Sequence, residues 1–182
     1  MSRHCATSCC RKRPRLRQRR RSKLKKPEGQ AASDAALIEA AALRLLARRE
    51  HSLQELTAKL RARGFEPEPV AAVVTALAAK NLVSDARFVE EFIASRLRRG
   101  NGPAKIREEL RSRGVDAESV AAELGKQSGA WSVNAESVRR KRFGAALPSA
   151  YPERMRQARF LQQRGFTAEQ IRKVMKGEIE DV

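Results

Sequence analysis

Cysteine, histidine and aromatic residues are all scarce in this chain. Its only three cysteines are Cys5, Cys9 and Cys10 in a sequence of 182 residues, so disulfides do not hold the remainder together. With His4 alongside they offer metal-ligand types, but the spacing fits no zinc framework, and they read as reduced thiols of a cytosolic protein. Aromatics make up 4%, with one Trp and one Tyr, which leaves few platforms for base stacking. Histidine-based catalysis has only His4 and His51 to draw on, and His51, beside a helix boundary, suits a surface or capping role. No apolar run is long enough to cross a membrane or form the core of a secretory signal. Nor is there a GxxxxGK[ST] phosphate loop. Gly100-Asn101-Gly102-Pro103-Ala104-Lys105 puts glycines near a helix start, where a phosphate contact is one reading, although a turn followed by proline at the first helical position explains the same residues. The adjacent pairs Glu90-Glu91 and Glu108-Glu109 diverge on a helix and read as solvated faces. These absences point away from an enzyme, a cofactor and a bound metal.

What is abundant is Ala, Leu, Arg and Glu, residues that lose little side-chain freedom in a helix, so the fold is expected to be all-α. The net charge is +18, of which residues 1–26 contribute twelve Lys or Arg and no acid. Such a block repels itself, so residues 1–33 are expected to form a disordered basic arm, either a solubilising tail or a polyphosphate-binding one.

An internal repeat organises the rest. Leu60…Arg63-Gly64-Phe65, Leu110…Arg113-Gly114-Val115 and Leu161…Arg164-Gly165-Phe166 each close a helical pattern, with glycines about 50 residues apart. Each glycine suits the left-handed position just past a helix end. A cap candidate follows two residues later (Glu66, Asp116, Thr167), then a first-turn glutamate (Glu68, Glu118, Glu169), then an apolar stripe: Val70-Val73-Val74-Leu77, Val120-Leu124, or Ile171-Val174-Met175. Before the glycine, Ser52-Leu53-Gln54-Glu55 reads as a capping box ahead of the stripe Leu53, Leu56, Leu60.

Three-helix units are therefore expected over 34–83, 84–126 and 127–182, forming an elongated, curved array. In unit one, Ser33 or Asp34 would cap a first helix running to about Glu50, with Leu37, Leu43, Leu46 and Ala47 near one face. Unit two would open at Ser84-Asp85 with Phe88, Phe92, Ile93 and Leu97 inward, then Ile106 and Leu110 in its second helix. In unit three the first helix would cover Ala135 to Phe143, with Gln127-Ser128-Gly129 as a hinge between units two and three. Units this small carry little core, so neighbours are expected to share apolar surface.

The string Leu82-Val83-Ser84-Asp85-Ala86-Arg87-Phe88-Val89-Glu90-Glu91-Phe92, with Gly102-Pro103-Ala104-Lys105-Ile106-Arg107-Glu108-Glu109-Leu110 and Arg113-Gly114-Val115, resembles the RecX regulatory protein family. Ala42-Leu43-Arg44-Leu45-Leu46-Ala47-Arg48-Arg49-Glu50-His51-Ser52 and Arg159-Phe160-Leu161-Gln162-Gln163-Arg164-Gly165-Phe166 extend the similarity to about residues 36–177. The resemblance implies tandem three-helix repeats in a cytoplasmic monomer. That monomer would lodge along the groove of the RecA filament on single-stranded DNA and restrain its growth, ATP hydrolysis, strand exchange and coprotease activity. The expected contact residues are Arg96, Arg98, Arg99, Lys105, Arg107, Arg111 and Arg113, with Arg63 and Arg164 as repeat-related companions. For Arg63, Arg113 and Arg164, offsetting a helix dipole explains the residue as well as filament binding does. The competing reading is a general DNA- or RNA-binding helical protein that also grips nucleic acid through residues 1–26.

Overall fold

The structure, a computed structural model, describes residues 28–178, with side chains from residue 34 onward. The basic segment 1–26, the cysteines and His4 lie outside the described residues. Nine helices and no strands are found among those described: α1 Glu28–Leu46, α2 Leu53–Ala62, α3 Pro67–Ala79, α4 Asp85–Arg98, α5 Pro103–Arg111, α6 Ala117–Lys126, α7 Ala130–Phe143, α8 Tyr151–Gln163 and α9 Ala168–Lys176. Consecutive triplets pack on one another, α1 to α3, α4 to α6 and α7 to α9.

Local chemistry accounts for most of the boundaries. Ser84, Asp116 and Thr167 cap α4, α6 and α9 by accepting the amides of Arg87, Ser119 and Gln170. Thr167 and Gln170 form a full reciprocal capping box. Ser52 caps α2 through the Glu55 amide, but the Glu55 carboxylate does not return to it. It is held instead by Arg49 Nη2 at 2.5 Å and Lys59 Nζ at 3.1 Å, because two cations outbid one amide. Gly64, Gly114 and Gly165 have φ of +90°, +70° and +90°, as the corner requires. After the second and third corners the next amide reaches back to the helix, Val115 N–H to Leu110 O and Phe166 N–H to Leu161 O.

Three expectations need correction. The inward face of α1 is Ile38, Ala41, Ala42 and Leu45, while Leu37 is 59% and Leu43 42% exposed. The stripe takes Ile38 in place of Leu37 and Ala42 in place of Leu43, while Leu46 packs at its edge as expected; the small alanines let α3 approach with Val70 and Val74. The helix also begins before Asp34 and ends at Leu46, short of Glu50. In the third unit α7 starts at Ala130, five residues ahead of Ala135, and Gln127 to Ala130 form a hydrogen-bonded turn.

Neighbouring units were expected to share apolar surface, yet there are three separate cores. The first runs from Ile38 to Val83, the second is centred on Phe88, Ile93, Ile106 and Leu110, and the third is built on Ala135, Leu161, Phe166 and Val174. The bridging exception is Trp131, which leaves α7 to bury itself in the second core and donates from Nε1 to Leu124 O at 3.2 Å. It ties units two and three together across the turn where the sequence points to a hinge.

The units join end to end through polar groups. Ser52 Oγ, at the start of α2, donates to Arg113 O at 2.9 Å, just past the end of α5. Gly102 N–H, at the start of α5, donates to Arg164 O at 2.8 Å, and Ala104 N–H to Gly165 O at 3.0 Å, just past the end of α8. Amides and carbonyls that helix ends leave unpaired thus satisfy each other, and the partial charges of the facing ends are opposite. A Cβ on Gly165 would lie 2.5 Å from Lys105 Cβ, whereas one on Gly64 would meet open space.

Alanine at the three corners should therefore differ in cost. Gly64→Ala pays mainly for its backbone conformation, about 1–2 kcal/mol. At Gly114 the intruding neighbour is the flexible Gln54 side chain, so the added cost there is small. Gly165→Ala adds a steric conflict of roughly 1–3 kcal/mol, so denaturant titration should rank it the most destabilising; equal losses at all three would contradict the joint.

Candidate functional site

The arginines chosen from sequence sort into held and free ones. Arg96 is mostly buried, bonded to Glu109 by Nε at 2.7 Å and Nη2 at 2.6 Å, with its guanidinium 4.6 Å from the Phe92 ring centre. Arg113 stacks on the same ring at 4.7 Å and donates from Nη1 to Glu109 O at 2.5 Å. Arg111 is paired with Glu108 through Nε at 3.0 Å and Nη2 at 2.7 Å on an open surface. Arg63 reaches Ala41 O at 3.5 Å in unit one, far along the chain from the rest. Lys105 and Arg107 are exposed on α5, outside the grouping described next.

That grouping falls at the joint between units two and three. Arg98 and Arg99 at the end of α4, Lys141 and Arg142 in the last turn of α7, and Arg164 after α8 line one pocket of about 290 Å³. Gly100, Val138 and Phe160 complete its wall, and no acidic residue contributes. Arg164 is oriented by Nη1 donating to Arg99 O at 3.0 Å and by the Phe160 ring beneath it. Arg98, Lys141 and Arg142 have no acidic partner among the described residues. Asn134 also faces this space, and its Nδ2 is a buried donor without an acceptor. A second pocket of about 340 Å³ shares Arg142 and Phe160 with the first and adds Arg156 and Arg159. Sequence reasoning identified Arg98, Arg99 and Arg164 but missed Lys141, Arg142, Arg159 and Asn134. The signal was the run Arg139-Arg140-Lys141-Arg142, four consecutive cations on one helix end.

Within that run Arg139 is structural. It is fully buried, forks onto Glu136 at 2.8 and 2.7 Å, and holds the loop after α7 through Gly144 O, Ala145 O and Ala146 O. Burial alone would push the Glu136 carboxyl up, but hydrogen bonds from Arg139 and Arg140 outweigh it and hold the group below its ordinary value. The bidentate pair fixes the end of α7, and with it the placement of Lys141 and Arg142.

Of the surface or capping role expected for His51, the structure rules out the surface one, since the residue is only 2% exposed. Its Nδ1–H donates to Arg49 O at 2.9 Å, which leaves Nε2 to accept from Lys59 Nζ at 2.9 Å. Burial lowers its pKa most, and the charges of Arg49 and Lys59 lower it further, which favours the neutral ring in the folded state. Nearby, burial would raise the Glu55 carboxyl, but hydrogen bonds from Arg49 and Lys59 bring it down to about 2.

The fold and this surface define a class, helical-repeat proteins that gather unpaired cations where two units meet. The comparisons with known proteins then agree on a family. Residues 40–77, 84–124 and 133–175 match the first, second and third three-helix domains of RecX. The chain is 49% identical over 146 residues to regulatory protein RecX of Halorhodospira halophila, covering 80% of this chain and 89% of that protein. It is 42% identical over 136 residues to regulatory protein RecX of Pseudomonas fluorescens, covering 75% and 88%. The crystal structure of RecX from Lactobacillus salivarius shares the fold, with a TM-score of 0.69 at 18% identity over 80% of this chain and 97% of that one. The chain belongs to the RecX regulatory protein family.

A lowered histidine pKa sets the sign of a pH effect. Unfolded His51 takes up a proton below its ordinary 6.5 while the folded ring resists it, so its contribution to stability is complete above pH 6.5 and declines as pH falls below it. Glu55 acts in a separate window, between its ordinary 4.5 and about 2. Denaturation midpoints recorded from pH 8 downward should begin to fall near pH 6.5, and His51→Gln should flatten that first decline; an unchanged profile would exclude His51 as its source.

Proposed function

We propose that this protein binds the RecA nucleoprotein filament along its groove and inhibits filament extension, ATP hydrolysis, strand exchange and coprotease activity. It would act as a cytoplasmic monomer and a regulator rather than a catalyst. The observation that carries this reading is the succession of three RecX-type domains, first, second and third in order, over residues 40–175. The cationic pocket at the joint of units two and three, which no acidic residue lines, supports it, since a filament on DNA is a long, partly polyanionic partner. Three units joined end to end can meet successive protomers, and linked weak contacts add up to useful affinity. Of the arginines and lysines chosen from sequence, Arg98, Arg99 and Arg164 belong to this contact surface, joined by Lys141 and Arg142. Lys105 and Arg107 would make outer contacts. Arg63, Arg96, Arg111 and Arg113 are engaged within the chain.

A second reading, general nucleic-acid binding through the basic arm, is favoured by the twelve cations of residues 1–26. RecA-catalysed, DNA-dependent ATP hydrolysis separates the two. The purified protein should inhibit it at substoichiometric ratios, and a chain lacking residues 1–26 should still do so. No inhibition at any ratio up to one per RecA protomer would contradict the filament reading, while inhibition lost with residues 1–26 would favour the second.

A further inference from the structure

We propose that the joint between units two and three is a phosphate-binding site, and that a nucleic-acid phosphate seated there locks the two units together. This deepens the filament reading by naming the chemistry of its contact surface, yet it concerns the chain and a nucleic acid alone. Every charged side chain lining the pocket is a cation: Arg98, Arg99, Lys141, Arg142 and Arg164. Guanidinium forks suit the several oxygens of a phosphate. A lone carboxylate would leave most of these cations unmatched. The second pocket continues from the first through Arg142 and Phe160, which fits a ligand carrying successive phosphates along a strand. The exposed faces of Phe143 and Phe160 are approached by Arg156 and Arg164, so phosphate rather than base contact is expected.

The coupling follows from where the cations sit. Arg98 and Arg99 belong to unit two, whereas Lys141, Arg142 and Arg164 belong to unit three. Arg164 Nη1 already bonds Arg99 O across the joint, and Arg164 O accepts the Gly102 amide. A phosphate bridging both sets neutralises repulsion between them and holds the same carbonyl in place. The first bond is local to this joint, whereas the second has a counterpart between units one and two, where Ser52 Oγ donates to Arg113 O. Across the joint between units one and two, the mixed ion pair Arg87–Glu50 leaves no comparable excess of cations.

The test uses the full chain without RecA and a short labelled oligothymidylate, followed by fluorescence anisotropy at several salt concentrations. Lys141→Gln/Arg142→Gln is compared with Arg44→Gln/Arg48→Gln, which removes the same charge from exposed positions of unit one. Residues 1–26 are present in all three proteins, so any difference between them comes from the exchanged positions. The joint variant should bind at least about tenfold more weakly. Its slope of log affinity against log salt should fall by roughly 1.4, the value for two lost phosphate contacts on a single strand. The unit-one variant should behave like the parent. Competition by inorganic tripolyphosphate that spares the two-unit coupling would assign the pocket to free phosphate and overturn the nucleic-acid assignment. Stronger competition by oligoglutamate than by unlabelled oligothymidylate would overturn the phosphate assignment itself. Hydrogen exchange reads the locking: the Gly102 and Ala104 amides should exchange more slowly with saturating oligothymidylate. Unchanged exchange there, or equal weakening in both double variants, would contradict the proposal. Filament inhibition can fail or succeed independently of every one of these outcomes.

Discussion

The structure depends on one repeated interaction, the meeting of a helix C-terminal corner in one unit with the start of the second helix in the unit before it. The end of α8 meets the start of α5, and the end of α5 meets the start of α2. Each contact pairs carbonyls and N–H or O–H groups that helix termini would otherwise leave to water, between ends of opposite partial charge. Because the corner turns on a positive-φ glycine, the backbone can come close enough for those bonds to form. The three cores can then remain separate, each closed by its own three helices, with Trp131 as the apolar bridge between the second and third.

That arrangement decides which cations remain available. Within a unit, arginines find carboxylates or rings: Arg96 takes Glu109, Arg113 stacks on Phe92, and Arg139 is buried against Glu136. At the joint, helix ends converge that each carry basic residues in their last turn, and no helix start there supplies acids. Every last turn favours cations for its own sake. Two of them brought side by side create an excess that neither helix needs, and this excess is the surface on which the proposed regulatory contact rests.

Much of the fold was legible because it is written locally. The corner glycines, the caps Ser84, Asp116 and Thr167, and the stripes of α3, α5 and α6 follow from short-range rules. What escaped depends on neighbours. Ile38 rather than Leu37 faces inward because α3 packs against the alanine side of α1. Glu55 abandons its capping role because Arg49 arrives from the preceding loop. Arg139 reads as one more surface cation, yet a glutamate one turn away and three loop carbonyls make burial tolerable. For the candidate site, Arg98, Arg99 and Arg164 could be picked as basic residues, but their meeting with Lys141 and Arg142 depends on a joint between units that no periodicity encodes.

The central claim is that the joint of units two and three, and not basic charge in general, carries the regulatory contact. The most direct measurement is inhibition of RecA ATP hydrolysis by charge-reversed proteins of equal net charge. Lys141→Glu/Arg142→Glu should abolish inhibition while Arg44→Glu/Arg48→Glu retains it. Equal inhibition by the two, or loss only in the second, would contradict the account.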